Sequence, residues 1–153
     1  MLEIRTATDR DFNLLREMYL EEVENHVERA ETFANDLIHH FKTMLALQDD
    51  KLAGTLTWDA RGGYDDGVVE LVSIGVNKSF QRKGIATQLV NELIDKASGF
   101  YKHRGYILRV IILFMERQND VARKFYSSLA FNEEATIPGL YPHDDGVIWT
   151  RHL

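Results

Sequence analysis

Residues 68–97 read VVELVSIGVNKSFQRKGIATQLVNELIDKA. The apolar run over 68–76 predicts a strand. From Ile85 to Ala97 the apolar pairs Ile85/Ala86, Leu89/Val90 and Leu93/Ile94 return every four residues, which predicts an amphipathic helix. Between them lies a polar loop that ends in Gly84. The first turn of a helix leaves four backbone N–H groups without intrahelical partners, and the macrodipole adds roughly half a positive charge there. A glycine in the preceding turn permits unusual φ and lets a ligand approach the backbone. The segment Arg82-Lys83-Gly84-Ile85-Ala86-Thr87 can therefore present several N–H donors to one anion, with Arg82 and Lys83 adding formal charge. The loop is neither a G-x-x-x-x-G-K-[ST] phosphate loop nor a G-x-G-x-x-G dinucleotide turn. An ordinary helix entry with surface basic residues has the same pattern.

On either side the chain alternates strands and helices. LEIRTA alternates as a first strand. TDRDFNLLREMYLEEV opens with Thr8 or Asp9 as a helix cap and carries Phe12, Leu15, Met18 and Tyr19 at helical spacing. AETFANDLIHHF predicts a second helix. KTMLALQDDKLAGTLTWDA reads as two strands around the turn QDDK. YILRVIILF, residues 106–114, is almost continuously apolar and predicts a central strand covered on both faces. DVARKFYSSLAF predicts a helix capped by Asn119 or Asp120. EEATI and GVIWTRHL predict two closing strands around the loop PGLYPHDD. The order β-α-α-β-β-β-α-β-α-β-β predicts an α/β (α+β) fold with a mixed sheet, in one domain over residues 1–153.

The 153 residues suffice for a single core. With 44% hydrophobic and 27% charged residues the composition is that of an ordinary globular protein. The net charge of -6 argues against nucleic acid as the main partner, because phosphate binding runs on clustered Lys and Arg. The absence of cysteine removes disulfides, thiolate metal sites and a cysteine nucleophile. The opening MLEIRTATDRDF carries acids and bases early, and no apolar run reaches the roughly 20 residues that span a bilayer. Neither a signal peptide nor a membrane association is expected, and the cytoplasm is the expected compartment.

At Gln81-Arg82-Lys83-Gly84-Ile85-Ala86 the sequence resembles the GNAT superfamily of acetyl-CoA-dependent N-acetyltransferases, whose signature is Q/R-x-x-G-x-G/A. NDVARKFYSSLAF is similar to the family's second motif, and the element order matches along nearly the whole chain. The resemblance implies a mostly antiparallel sheet of six or seven strands, splayed between the fourth and fifth and flanked by about four helices. It implies that acetyl-CoA, as cosubstrate, lays its pyrophosphate on the amides of Arg82 to Thr87. The pantetheine arm would bond to backbone near Ile74 and Val76, Asn119 would help fix it, and Tyr126 would face the thioester sulfur. The family is often homodimeric. Ala130 departs from the pattern, since a glycine usually precedes Phe131.

Direct acetyl transfer needs an unprotonated amine and help for the leaving thiolate. Glu70 is the candidate base; its place before Gln81 resembles that of the catalytic glutamate in some family members, and period two puts it on a face with Val68, Val72 and Ile74. A glutamate at the strand's wet edge, paired with Lys or Arg, is the competing account. Tyr126 is the candidate acid; it follows Asn119 by two helical turns. A core tyrosine with its hydroxyl satisfied by backbone is the competing account.

The resemblance implies that the region between the first two helices contributes to the acceptor site, and the loop before the last strand is a second candidate. The first carries Glu21, Glu22, Glu24, Glu28 and Glu31; the second, IPGLYPHDDGV, carries Tyr141, His143, Asp144 and Asp145. A solvated helix face and a polar turn are the plain accounts of each. The histidines show no metal spacing, so no metal is expected, and Trp58 and Trp149 read as core residues. The sequence thus points to an N-acetyltransferase that moves an acetyl group directly to a primary amine of a small molecule or peptide in a ternary complex. The alternative is an acyl-CoA-binding regulatory module with little turnover.

Overall fold

The computed structural model describes residues 1–153. Seven strands form one mixed sheet: β1 (Leu2–Thr6), β2 (Lys42–Gln48), β3 (Lys51–Arg61), β4 (Val68–Val76), β5 (Val110–Glu116), β6 (Asn132–Tyr141) and β7 (Asp144–His152). They lie in the order β1-β2-β3-β4-β5-β7-β6. The four helices are α1 (Phe12–Glu22), α2 (Val27–Asn35), α3 (Ile85–His103) and α4 (Asp120–Ser128). The element order and the mixed sheet are those expected from the sequence. No helix is long and apolar enough to cross a membrane.

The chain divides into two compact units, and β3, β4 and α3 run from one into the other. The first unit comprises residues 1–59 and 73–96. Its core joins Leu15 of α1 and Ala34 of α2 to Leu45, Leu47 and Leu52 of β2 and β3. The β2–β3 hairpin closes on Asp49 and Asp50, with φ 52 and φ 67. Two left-handed residues in a two-residue loop match the twist of the flanking strands, and Asp tolerates that conformation. α2 is capped by His26, whose Nδ1 accepts the Arg29 N–H at 3.1 Å. The second helix therefore begins earlier than its apolar pattern suggested, and a π-helical turn, Asp36–His40, carries its far end.

The second unit comprises residues 60–72 and 97–153. β5 pairs antiparallel with β7 throughout, and β7 with β6. Ile111, Leu113 and Met115 of β5 and Val147 and Trp149 of β7 are buried. Three expectations fail here. The strand expected over 106–114 is displaced to Val110–Glu116: Tyr106 and Ile107 are exposed, and the Gly67 carbonyl accepts the N–H groups of Arg109 and Val110 at 2.7 and 3.1 Å. Burial then alternates along β5, with Phe114 turned out, so the strand is not covered equally on both faces. The loop expected over 138–145 is mostly strand. β6 continues to Tyr141 by shifting register, and Tyr141 pairs with Asp144 around a two-residue turn.

Within α3 the residues Ile85, Leu89, Leu93, Ala97 and Tyr101 are all buried. The apolar stripe thus carries the helix past Gly99, and it stops where Gly105 turns at φ 83.

Candidate active site

In the first unit the sequence brings the end of β4 and the mouth of α3 together through a tight loop. Asn77 clamps the end of β4: its N–H donates to the Ala53 carbonyl at 2.7 Å and its Nδ2 to the Leu52 carbonyl at 2.9 Å. Gly54 permits the approach of the two strands, because a Cβ there would lie 2.6 Å from the Gly75 carbonyl oxygen. An isolated glycine inside an apolar strand is the sequence signal for such a contact. Beyond a short turn, Lys78–Phe80, the Gln81 side chain folds back and donates to the Val76 carbonyl at 3.1 Å.

Arg82 (φ 64) and Gly84 (φ 76) are both left-handed and bracket Lys83. Such alternation turns successive N–H groups toward one concavity. The first amide of the region to find an acceptor is that of Gln88, which donates to the Gly84 carbonyl at 3.1 Å. The amides of Arg82, Lys83, Gly84, Ile85, Ala86 and Thr87 donate to nothing in the chain. Arg82, Lys83 and Gly84 are exposed, while Ile85 is buried and anchors the turn. Added at Gly84, a Cβ would meet nothing within 4 Å, so the space above the amides is open. The chemistry of this donor set, six main-chain N–H groups at a helix start beside Arg82 and Lys83, fits a phosphate or diphosphate.

The same unit holds a cavity of about 330 Å³ over the last turns of β4. Ile74 and Val76 line it from the strand, Met18 and Glu22 from α1, and Phe33 from α2. Of the acidic residues on this side, Glu24 is consumed by Tyr19, whose hydroxyl it binds, and by Arg29 at 2.8 Å. That bond to Glu24 holds the Tyr19 phenol above its usual range. Glu21, Glu28 and Glu31 are exposed.

In the second unit β4 pairs in parallel with β5 over Val68–Glu70 and Val110–Ile112. β4 itself continues to Val76. Glu70 is half-buried, and Nε and Nη2 of Arg61 both lie 2.9 Å from its Oε1. The pairing with an arginine weighed from the sequence is thus present, although β4 is an inner strand of the sheet, and Arg61 is the partner that sequence reading did not name. The buried neighbours on β4 are Val69 and Leu71, so Glu70 stands on the half-buried face.

Asn119 is the N-cap of α4, with Oδ1 accepting the Ala122 N–H at 3.1 Å. The Tyr126 ring is buried and packs against Phe125 and Phe131 at centroid distances of 5.0 and 5.4 Å. No group in the chain bonds its hydroxyl, and burial alone pushes the phenol up to about 12. The hydroxyl is not sealed either; the side-chain polar atom that is both sealed and unpaired is Trp149 Nε1. Tyr126 therefore holds a protonated donor with no internal acceptor, which removes the backbone-satisfied account.

The tip of the β6–β7 hairpin shapes a polar cavity lined by Arg117, Tyr141, His143 and Asp144. Its acids are engaged: Asp144 accepts the Gln118 N–H and Asp145 the Gly139 N–H, each at 2.9 Å. His143 lies 3.3 Å from Glu116. The Asp144 bond ties the hairpin to the loop before α4, and the Asp145 bond closes the hairpin on itself.

The family described as Acetyltransferase (GNAT) family matches residues 8–131. Histone acetyltransferase MCC1 of Arabidopsis thaliana is 26% identical over 114 residues, 74% of this chain and 44% of that protein. The chain therefore spans less than half the length of this curated relative. The fold is shared with the ribosomal-protein-S18-alanine N-acetyltransferase from Escherichia coli (TM-score 0.76, 22% identity, 99% of this chain and 94% of that one). It is shared equally with a Bacillus subtilis acetyltransferase in complex with CoA (TM-score 0.77, 19% identity, 100% and 99%). Arabidopsis thaliana NAA60 in complex with acetyl-CoA is similar in the same way (TM-score 0.75, 18% identity, 100% and 99%).

Proposed function

The chain belongs to the acetyltransferase (GNAT) family, and from that premise we propose that it moves an acetyl group from acetyl-CoA directly to a primary amine of a small molecule or peptide, in a ternary complex. The observation that carries the reading is the run of six amides from Arg82 to Thr87 with no acceptor in the chain. They receive the pyrophosphate, with Arg82 and Lys83 supplying charge. The pantetheine arm lies along Ile74 to Val76 as an added strand. Asn119 spends Oδ1 on its cap and keeps its amide nitrogen for the arm.

Tyr126 donates a hydrogen bond to the departing thiolate. A phenol near 12 stays protonated across the working range of pH and acts chiefly as a donor. Glu70 accepts the proton of the ammonium, directly or through a water, while Arg61 orients its carboxylate and competes for the same lone pairs.

Two measurements test this reading. Calorimetry should show CoA binding to the wild type and none to Gly84→Asp, which puts bulk and negative charge among the amides. Normal binding by the variant, or none by the wild type, refutes the anion seat. Thiol release from acetyl-CoA with a panel of amines then separates an enzyme from a binding module. In a binding module Glu70→Gln and Tyr126→Phe alter no rate.

A further inference from the structure

Asn77 joins the end of β4 to the loop before α3 and takes part in three hydrogen bonds. Its N–H donates to the Ala53 carbonyl at 2.7 Å, its Nδ2 to the Leu52 carbonyl at 2.9 Å, and its own carbonyl accepts the Phe80 N–H at 2.8 Å. A bulge in β3 presents the two acceptors. The register between β2 and β3 passes from Ala46 opposite Gly54 to Leu47 opposite Leu52, so Ala53 has no partner on β2. A bulge leaves its extra residue outside the ladder and re-aims the groups around it. Leu52 and Ala53 are buried, and a buried carbonyl without a donor is costly. The main-chain N–H of residue 77 satisfies one of the two carbonyls. The other needs a side chain on the same residue that donates at amide length, and Asn77 supplies it.

The latch fixes the end of β4. Val76 precedes it, and the Val76 carbonyl accepts Nε2 of Gln81 at 3.1 Å from the other side of the turn. Ile74, Gly75, Val76 and Asn77 all line the cavity of about 330 Å³. A ligand that joins a strand through main-chain bonds needs the strand's peptide groups already in register, because ordering them on binding weakens the complex.

We propose that Asn77 is a positioning residue for the coenzyme: its side-chain amide, seated on the bulge of β3, holds the peptide groups of Ile74 to Val76 in place for the pantetheine arm. The assignment rests on the acetyl-transfer reading above, in which the arm lies along those residues. The side chain acts on the arm and not on the anion seat. The bond that ties Asn77 to the turn before the seat is made by its main-chain carbonyl, which every substitution keeps.

Calorimetry on the full chain tests this with two probes, CoA and adenosine diphosphate, which carries a diphosphate and no arm. Asn77→Leu removes the donor at similar size, Asn77→Ser shortens the side chain out of reach of Leu52, and Asn77→His keeps an N–H at the place of Nδ2. The first two should bind CoA about three- to ten-fold more weakly, the range for one hydrogen bond, with adenosine diphosphate unchanged. Asn77→His should recover most of the loss. Urea unfolding of the same samples shows that the variants compared are folded. Wild-type CoA affinity in the folded donor-less variants overturns the proposal, as does equal weakening of adenosine diphosphate, its failure to bind the wild type, or no recovery in Asn77→His. Those results with CoA bound by the wild type sink only this assignment, whereas a wild type that binds no CoA sinks the acetyl-transfer reading beneath it.

Discussion

Replacing Ala130 by glycine should stabilise the protein by about 0.5–1 kcal/mol. Ala130 follows the C-cap of α4 and stands at φ 65. The Phe131 N–H donates to the Tyr126 carbonyl at 3.0 Å, and the Ala130 N–H to the Ser127 carbonyl at 3.3 Å. These are the paired bonds of a Schellman turn, whose apolar contact is made here by the rings of Phe131 and Tyr126. α3 ends in the same way, with Tyr106 N–H on the Tyr101 carbonyl at 2.9 Å and Gly105 N–H on the Lys102 carbonyl at 3.0 Å. There the left-handed residue is Gly105, at φ 83.

The chain thus contains one such turn with glycine and one with alanine. A Cβ in the left-handed region costs roughly 1–2 kcal/mol. Glycine's extra freedom in the unfolded chain takes back about 0.4–1 kcal/mol. Ala130 is exposed, so its methyl gives up no core packing. A gain near 1 kcal/mol corresponds to a Tm higher by roughly 2–4 °C for a chain of this size. Urea unfolding followed by tryptophan fluorescence reads the change as a higher midpoint at constant slope. Gly105→Ala is the reciprocal experiment: its new Cβ meets nothing within 4 Å, so only backbone strain is tested, and a loss of similar size is expected. An unstabilised Ala130→Gly together with a neutral Gly105→Ala would refute the strain argument.

Tyr126→Phe should lower kcat about ten- to a thousand-fold with CoA affinity near wild type, and an unchanged kcat in thiol-release assays removes Tyr126 from the chemistry. The same variant tests the buried phenol. A folded value of about 12 against about 10 unfolded leaves stability intact below pH 10 and loses it as pH rises toward 12, by about 1.4 kcal/mol per pH unit. Urea midpoints across that window should fall less steeply in Tyr126→Phe than in the wild type; parallel slopes contradict the assignment. Gly54→Ala drives a Cβ onto the Gly75 carbonyl oxygen, a backbone atom that cannot rotate away, and should cost about 1–3 kcal/mol while weakening acetyl-CoA binding. Calorimetry showing wild-type affinity for acetyl-CoA would mean that the position of residues 74–76 is immaterial to the ligand.

The sequence by itself determined what local chemistry determines. The four-residue stripe from Ile85 and the alternation in VVELVSIGV specify a strand, a turn and a helix in that order. Gly84 before a helix start marks bare amides because the unpaired first-turn N–H groups are a property of any helix. Asn119 reads as a cap for the same reason. The Q-x-x-G-x-A and N-to-F spacings carried the family, and with it Tyr126.

Only the tertiary structure decided which distant residues meet. That Arg61 takes Glu70 depends on the neighbouring places of β3 and β4 in the sheet, and period-two alternation names a face without naming its occupant. The ends of α3 and β5 were set by a glycine cap and by the Gly67 carbonyl, which outweighed an apolar pattern running on through Tyr106 and Ile107. Glu22 read as one acid in a solvated run. Its lack of a partner over the end of β4 appears once α1, α2 and the sheet are packed, because burial and pairing are long-range quantities with no local periodicity to announce them.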